Sequence, residues 1–177
     1  HDDKTIIIFC STRSSVTHVS SRILNRGFSV VSLSGALNQS ERFKALQSIK
    51  NGRCKICVAT DVAARGIDLV NLDIVIHAEL PQNSEILIHR SGRTGRAGNK
   101  GRSILFCAPG ERRRYERLVH SAKVTPVISK FLSQEEIERR DNEKIITFLS
   151  KSKKKNPSEL KFANELLTQF SSEDIAV

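Results

Sequence analysis

Over the first 110 residues, short apolar runs rich in Ile and Val alternate with stretches of helical periodicity, and this alternation restricts the fold more than any other feature. Residues 5–10, 29–33, 55–59, 73–77 and 102–107 read as strands. Between them, one helical stretch carries Val16, Val19, Ile23 and Leu24 on a single face and ends at Gly27. A second, residues 40–50, carries Phe43, Leu46 and Ile49 and ends near Gly52, and a third covers 84–91. Apolar runs without polar alternation suit strands buried on both faces. Strands separated by helices build βαβ units around a parallel sheet. The sequence therefore predicts an α/β fold in three layers, α/β/α, with a mostly parallel central sheet. Ligands of such sheets gather at the carboxyl ends of the strands, so the residues that follow each strand are the first candidates for a site.

Past Pro109 the pattern changes. Residues 111–123 read as a basic helix and 124–128 as a last short strand or extended segment. Residues 133–149 read as a helix with Ser133 as N-cap, Glu136 completing a capping box, and Ile137, Ile145, Phe148 and Leu149 as its apolar positions. A lysine-rich linker, 151–157, leads to an amphipathic stretch, 160–170, with Phe162, Ala163, Leu166, Leu167 and Phe170. This divides the chain into a domain at 1–128 and a helical extension at 129–177. Short amphipathic helices are marginal in isolation, so the apolar faces of the extension call for a partner, either a second copy or the domain's own flank.

The formal net charge is +10 and the pI near 9.8, which favours polyanionic partners. The longest purely apolar runs are five residues, far short of the ~20 that cross a bilayer, so no membrane span is expected. Cys10, Cys54, Cys57 and Cys107 are scattered. Cys54 and Cys57 have CxxC spacing, but no second pair completes a zinc site. Unpaired thiols suit a reducing cytosol, and a cytoplasmic location is expected. His1-Asp-Asp-Lys4 is no signal peptide, and the absence of Met points to a piece of something longer.

Two segments carry most of the chemistry. The first, Ala59-Thr-Asp-Val-Ala-Ala-Arg-Gly-Ile-Asp68, closes the third strand. Its small residues allow close approach, Gly66 leaves the backbone open, and Asp68 can accept from a ribose hydroxyl pair or cap a helix through an Asx turn. The second is His89-Arg-Ser-Gly-Arg-Thr-Gly-Arg-Ala-Gly98. Arg90, Arg93 and Arg96 recur every third residue among Gly92, Gly95 and Gly98. Crowding permanent cations is unfavourable unless an anion sits between them, and guanidinium forks suit phosphate oxygens.

These segments resemble motifs V and VI of superfamily 2 helicases in their DEAD-box RNA helicase form. Ile7-Ile-Phe-Cys-Ser-Thr-Arg13 is similar to motif IV and Gln39-Ser-Glu-Arg42 to the following QxxR motif. Just upstream the family usually has His-Gly where this chain has Ser34-Gly35, so no role at position 34 carries over. The resemblance spans residues 1 to about 128 and implies the second RecA-like domain of an ATP-dependent RNA helicase. It implies that Arg93 and Arg96 are arginine fingers for ATP held with Mg²⁺ by a first domain, and that His89 couples domain closure to chemistry. It also implies that Gly66 and Asp68 contact the ribose, that Arg90 braces the loop internally, and that Thr12, Arg13, Gly35, Gln39, Arg42 and Thr60 grip the RNA backbone. More weakly, residues 129–177 resemble the dimerisation segment of some bacterial members.

The sequence contains neither GxxxxGK[ST] nor Asp-Glu-Ala-Asp, so the chain alone is expected not to hydrolyse ATP. With no Trp and one Tyr, it offers little for bases to stack on, and binding is expected to be to the backbone, sequence-tolerant and salt-dependent. Two other readings remain open here: a duplex-DNA motor of the same superfamily, and a non-enzymatic module that binds RNA and dimerises.

Overall fold

A computed structural model of the chain describes residues 4–65, 72–95, 98, 100–129, 132–151, 161, 164–166, 168 and 169. The chain divides into two units, residues 1–126 and 127–177. In the first, five strands, β1 (Ile6–Cys10), β2 (Val30–Leu33), β3 (Ile56–Thr60), β4 (Ile74–His77) and β5 (Arg102–Leu105), form one sheet in the order β2-β3-β1-β4-β5. Every pairing is parallel. The helices are α1 (Arg13–Leu24), α2 (Gln39–Lys50), α3 (Asp61–Ala64), α4 (Ser84–Ser91) and α5 (Arg112–Ser121).

Side-chain caps start the helices that follow strands. Thr12 Oγ1 accepts from the Ser15 N–H at 3.0 Å to open α1. Asn38 and Glu41 form a reciprocal capping box on α2, and Asn83 Oδ1 caps α4. Each cap satisfies a backbone donor that the helix leaves unpaired, contributing about 1 kcal/mol.

Alternation along the strands sorts the core into two faces. On one, Cys10 and Val58 with half-buried Ile8 and Val30 meet Val16, Val19 and Ile23 of α1. On the other, Ile7, Phe9, Leu33, Cys57, Ala59 and Val75 meet Leu46 and Ile49 of α2 and Ala63 and Ala64 of α3. A third cluster joins Leu80 and Leu87 to Leu118 and Ala122 of α5, with Leu105 and Cys107 packed against it. The expected three layers are present, and the sheet is wholly parallel.

Two apolar assignments change. Leu24 is 55% exposed and Phe43 62% exposed. At about 100° per residue, Phe43 lies about 110° round α2 from the centre of the Ala45, Leu46 and Ile49 face, so it cannot share that face. Of the two readings of residues 124–128, the strand is not formed, leaving the extended segment; Val127 and Ile128 are among the most exposed apolar residues described.

In the second unit, α6 (Gln134–Lys151) starts at Ser133, whose Oγ accepts from the Glu136 N–H at 3.2 Å. The Glu136 carboxylate accepts instead from Arg140 at 3.3 Å, one turn further along the helix. Ile137, Ile145 and Ile146 are exposed. The side chains of Phe148 and Leu149, the linker 151–157 beyond its first residue and most of 160–170 lie outside the described residues. No helix among the described residues is long and apolar enough to cross a membrane.

Leu33 is 1% exposed and Phe28 57% exposed. Leu33→Ala is expected to lower unfolding free energy by about 2–5 kcal/mol, and Phe28→Ala by under ~0.5 kcal/mol, both read from urea denaturation midpoints.

Candidate functional site

Because every strand runs the same way, all five carboxyl ends lie at one edge, and three neighbours there, β2, β3 and β1, are followed by candidate residues. Ser34 and Gly35 follow β2, Thr60 ends β3, and Ser11, Thr12 and Arg13 follow β1. At about 4.8 Å between strands, this row is about 10 Å across. The backbone of Gly35 is closely approached by Arg13: a Cβ there would stand 3.0 Å from Arg13 Nη2. The guanidinium of Arg13 thus lies over the backbone that follows β2.

Thr12 and Thr60 both work as caps. Thr60, 8% exposed, accepts from the Ala63 N–H at 3.4 Å to start α3. An oxygen that accepts in this way can still donate through its own O–H, and that of Thr12 does so to Ser15 Oγ at 3.0 Å. Gln39 is the exposed first residue of α2. Arg42 is half-buried and donates through Nη2 to the carbonyls of Ala63 and Arg65 at 2.8 and 2.9 Å, fastening α2 to the turn after β3. Glu79 lies beyond the end of β4, and the Ser11 hydroxyl holds its carboxyl below the usual range. The row therefore has a carboxylate on its β4 side.

The second group lies elsewhere. α4 has eight residues, a length of about 12 Å, enough to run back along the four-residue β4. Its end is consequently carried to the amino end of that strand. There Thr94 forms a parallel bridge with Leu72, and its Oγ1 donates to the carbonyls of Leu72 and Asp73. Arg93, half-buried, is one residue away, and its N–H donates to the Arg90 carbonyl at 3.1 Å. Strand ends alone are thus a poor guide to Arg93, because a helix of this length displaces the segment to the opposite edge. Gly95 has φ 68°, in the region that favours glycine. A Cβ on Gly101 would overlap Thr94 Oγ1 and the Gly95 backbone. His89 is exposed on α4. Gly66, Asp68 and Arg96 lie outside the described residues.

Between the two groups sits Arg90, 3% exposed. Its Nε and Nη2 donate to Asp61 Oδ1 and Oδ2 at 2.6 and 2.7 Å, and its Cζ stands 5.1 Å from the centre of the Phe9 ring. Arg90 does brace the structure internally, with the residue that follows Thr60 as its partner. The sequence showed both residues without indicating the pairing, since 29 positions separate them.

Beside this pair, His77 is fully buried, its Nε2 3.1 Å from Ser103 Oγ and 3.4 Å from Ser91 Oγ. Burial, and then the charge of Arg90, push its pKa down to about 4. Among the described residues, His77 Nδ1 and Arg90 Nη1 are buried without a hydrogen-bond partner. Burial also raises the Cys10 thiol to about 11 and the Cys57 thiol to about 12, leaving both protonated and unsuited to nucleophilic work. Cys54 donates to the Ser29 and Ile56 carbonyls. No group of three metal-ligating side chains converges among the described residues.

The description "helicase conserved C-terminal domain" fits residues 1–98. This chain belongs to the DEAD-box helicase family, as its C-terminal RecA-like domain. It is 42% identical over 114 residues to the ATP-dependent RNA helicase DbpA of Escherichia coli, a match covering 64% of this chain and 25% of that protein. It is 35% identical over 174 residues to the ATP-dependent RNA helicase DeaD of Buchnera aphidicola, covering 98% and 26%. Saccharomyces cerevisiae Dbp5 bound to RNA and ADP BeF3 superimposes with a TM-score of 0.68 at 26% identity, over 80% of this chain and 38% of that one. The DEAD-box domain described here thus spans about a quarter of the length of these curated relatives.

Two outcomes test this geometry. Asp61→Ala strands a buried guanidinium in the DEAD-box domain and is expected to cost about 3–5 kcal/mol in urea unfolding. His77 binds a proton more readily unfolded than folded, so stability should fall as pH drops from 6.5 towards 4 and level off below. The total loss should be about 3 kcal/mol. In His77→Gln, thermal midpoints should lose that part of the pH dependence.

Proposed function

We propose that this domain is the second RecA-like lobe of an ATP-dependent RNA helicase, gripping the backbone of single-stranded RNA at the carboxyl edge and presenting arginines to ATP held by a first lobe. The observation that carries this reading is the row formed after three adjacent strands, with Arg13 lying over Gly35 and the Thr60 cap beside it. Hydroxyls, an exposed backbone and a guanidinium are groups that bind phosphate and ribose without reading bases. The similarity to the ATP-dependent RNA helicases DbpA and DeaD, and to Dbp5 bound to RNA, supports it.

In this reading Arg13 and Arg42 neutralise the strand and Gln39 orients it, with the Thr60 hydroxyl, and that of Thr12 on leaving Ser15 Oγ, donating to its oxygens. Arg93 and Arg96 reach across to the γ-phosphate, where fixed cations stabilise charge that develops during phosphoryl transfer. Gly66 and Asp68 hold the ribose, and His89 links to the acidic motif of the other lobe. ATP supplies the phosphoryl group and Mg²⁺ neutralises its oxygens when bound. The ion's carboxylates are assigned to the first lobe, since this sequence has no Asp-Glu-Ala-Asp. Asp61 and Arg90 connect the two surfaces: the carboxylate follows an RNA-side hydroxyl, and the guanidinium lies three residues before Arg93.

In the protein that carries both lobes, Arg93→Ala should lower RNA-stimulated ATP turnover by ~10³–10⁵-fold while leaving nucleotide binding intact. The present chain alone should give no turnover. Unchanged turnover in Arg93→Ala, measured by phosphate release, contradicts the assignment.

A further inference from the structure

Phe43 stands out among residues that the proposed RNA grip does not use. It is 62% exposed, lies one helical turn beyond Gln39 on the same side of α2, and directly follows Arg42. It borders an open groove of about 370 Å³ walled by Phe43, Lys44, Gln47, Ser48, Asn51 and Arg53. No carboxylate lines this groove. Lys44 and Arg53 bring two cations, Gln47 and Asn51 bring amide donors and acceptors, and Phe43 brings an aromatic face.

That combination has a chemical meaning. A base stacks on an aromatic side chain whatever its identity, because every base has a π-face. Amides can pair with the edges of an unpaired base, and cations hold its phosphate. An acidic peptide would meet the two cations but leave the ring and amides unused. Position agrees as well. α2 begins at the carboxyl edge, four residues after Gly35, and its twelve residues extend about 18 Å toward the amino edge. A strand held over Gly35 and Gln39 meets Phe43 next.

We propose that the outer face of α2 is a base-stacking groove for single-stranded RNA, with Phe43 as its platform; this rests on the backbone grip proposed above. RNA is then held in two ways, by its phosphates at the sheet edge and by at least one base on α2.

The chain contains no Trp, so Phe43→Trp introduces a single indole at the site. Phe28→Trp introduces one at a similarly exposed position ahead of β2, at the opposite edge. Each variant of the full 177-residue chain is titrated at low salt with single-stranded oligoadenylate and with an abasic ribose-phosphate oligomer of equal length. Oligoadenylate should quench the Phe43→Trp emission at least twofold, while the abasic oligomer binds without quenching and the Phe28→Trp emission stays unchanged. Phe43→Ala should weaken oligoadenylate binding by roughly 5- to 100-fold and leave abasic binding as in the wild type.

Equal quenching in both Trp variants, or wild-type oligoadenylate affinity in Phe43→Ala, overturns the groove while leaving the backbone grip standing. Failure of the wild-type chain to bind either oligomer overturns both. Quenching by polyglutamate but not by oligoadenylate overturns the RNA assignment in favour of an acidic protein partner.

Discussion

The ion pair between Asp61 and Arg90 holds the two halves of this domain in register. A carboxylate at the end of β3 receives two parallel donors from a guanidinium near the end of α4, and the aromatic face of Phe9 supports the cation from the sheet. Fork-to-carboxylate bonding fixes direction as well as distance, so the end of α4 cannot rotate about its axis while the pair persists. Within one residue of the pair on the β3 side is Thr60, and three residues away on the α4 side is Arg93. A buried charge pair is a poor source of net stability; what this one provides is orientation. It is also packed against a neutral, buried His77, so a second charge in the same volume would compete with the first.

The layout separates two kinds of polar surface that a simple strand-end rule would merge. The row after β2, β3 and β1 stands at the carboxyl edge, whereas the segment after α4 is fastened at the entrance to β4. One domain thereby presents two separate polar surfaces, at opposite edges of the same sheet. Arg42 adds a second fastening, from α2 to the carbonyls of Ala63 and Arg65. The turn after β3 is thus held from both directions, by Arg42 at its backbone and by Arg90 at its first side chain.

Much of the fold is legible in the sequence because parallel strands are written as uninterrupted Ile and Val runs and their helices as capped amphipathic stretches. The helical stretch at 84–91 matches α4, which Asn83 caps in the structure. Phe43 misled for a definite reason: an aromatic residue inside an apolar pattern is taken for core, and only the angular position of Ala45 and Leu46 separates it. For residues 124–128, β-rich composition could not decide between a strand and an extended segment, and the strand is not formed. Candidate residues at strand ends, such as Thr12, Gly35 and Thr60, lie where both the motif resemblance and the strand-end rule put them. The Asp61–Arg90 pair could not be found in that way, because recognising it requires knowing that α4 brings Arg90 back against Phe9 of β1. Arg93 was found by its arginine–glycine rhythm, while its placement at the far edge follows from helix length.

The tight packing of Gly101 against Thr94 and Gly95 carries an entropic implication. Two positions seven residues apart are stitched together at the threshold of β4, and Thr94 is bridged to Leu72 as well, so the backbone directly after Arg93 is pinned to the sheet. Conformational freedom that folding has already removed there is not lost a second time in any later encounter.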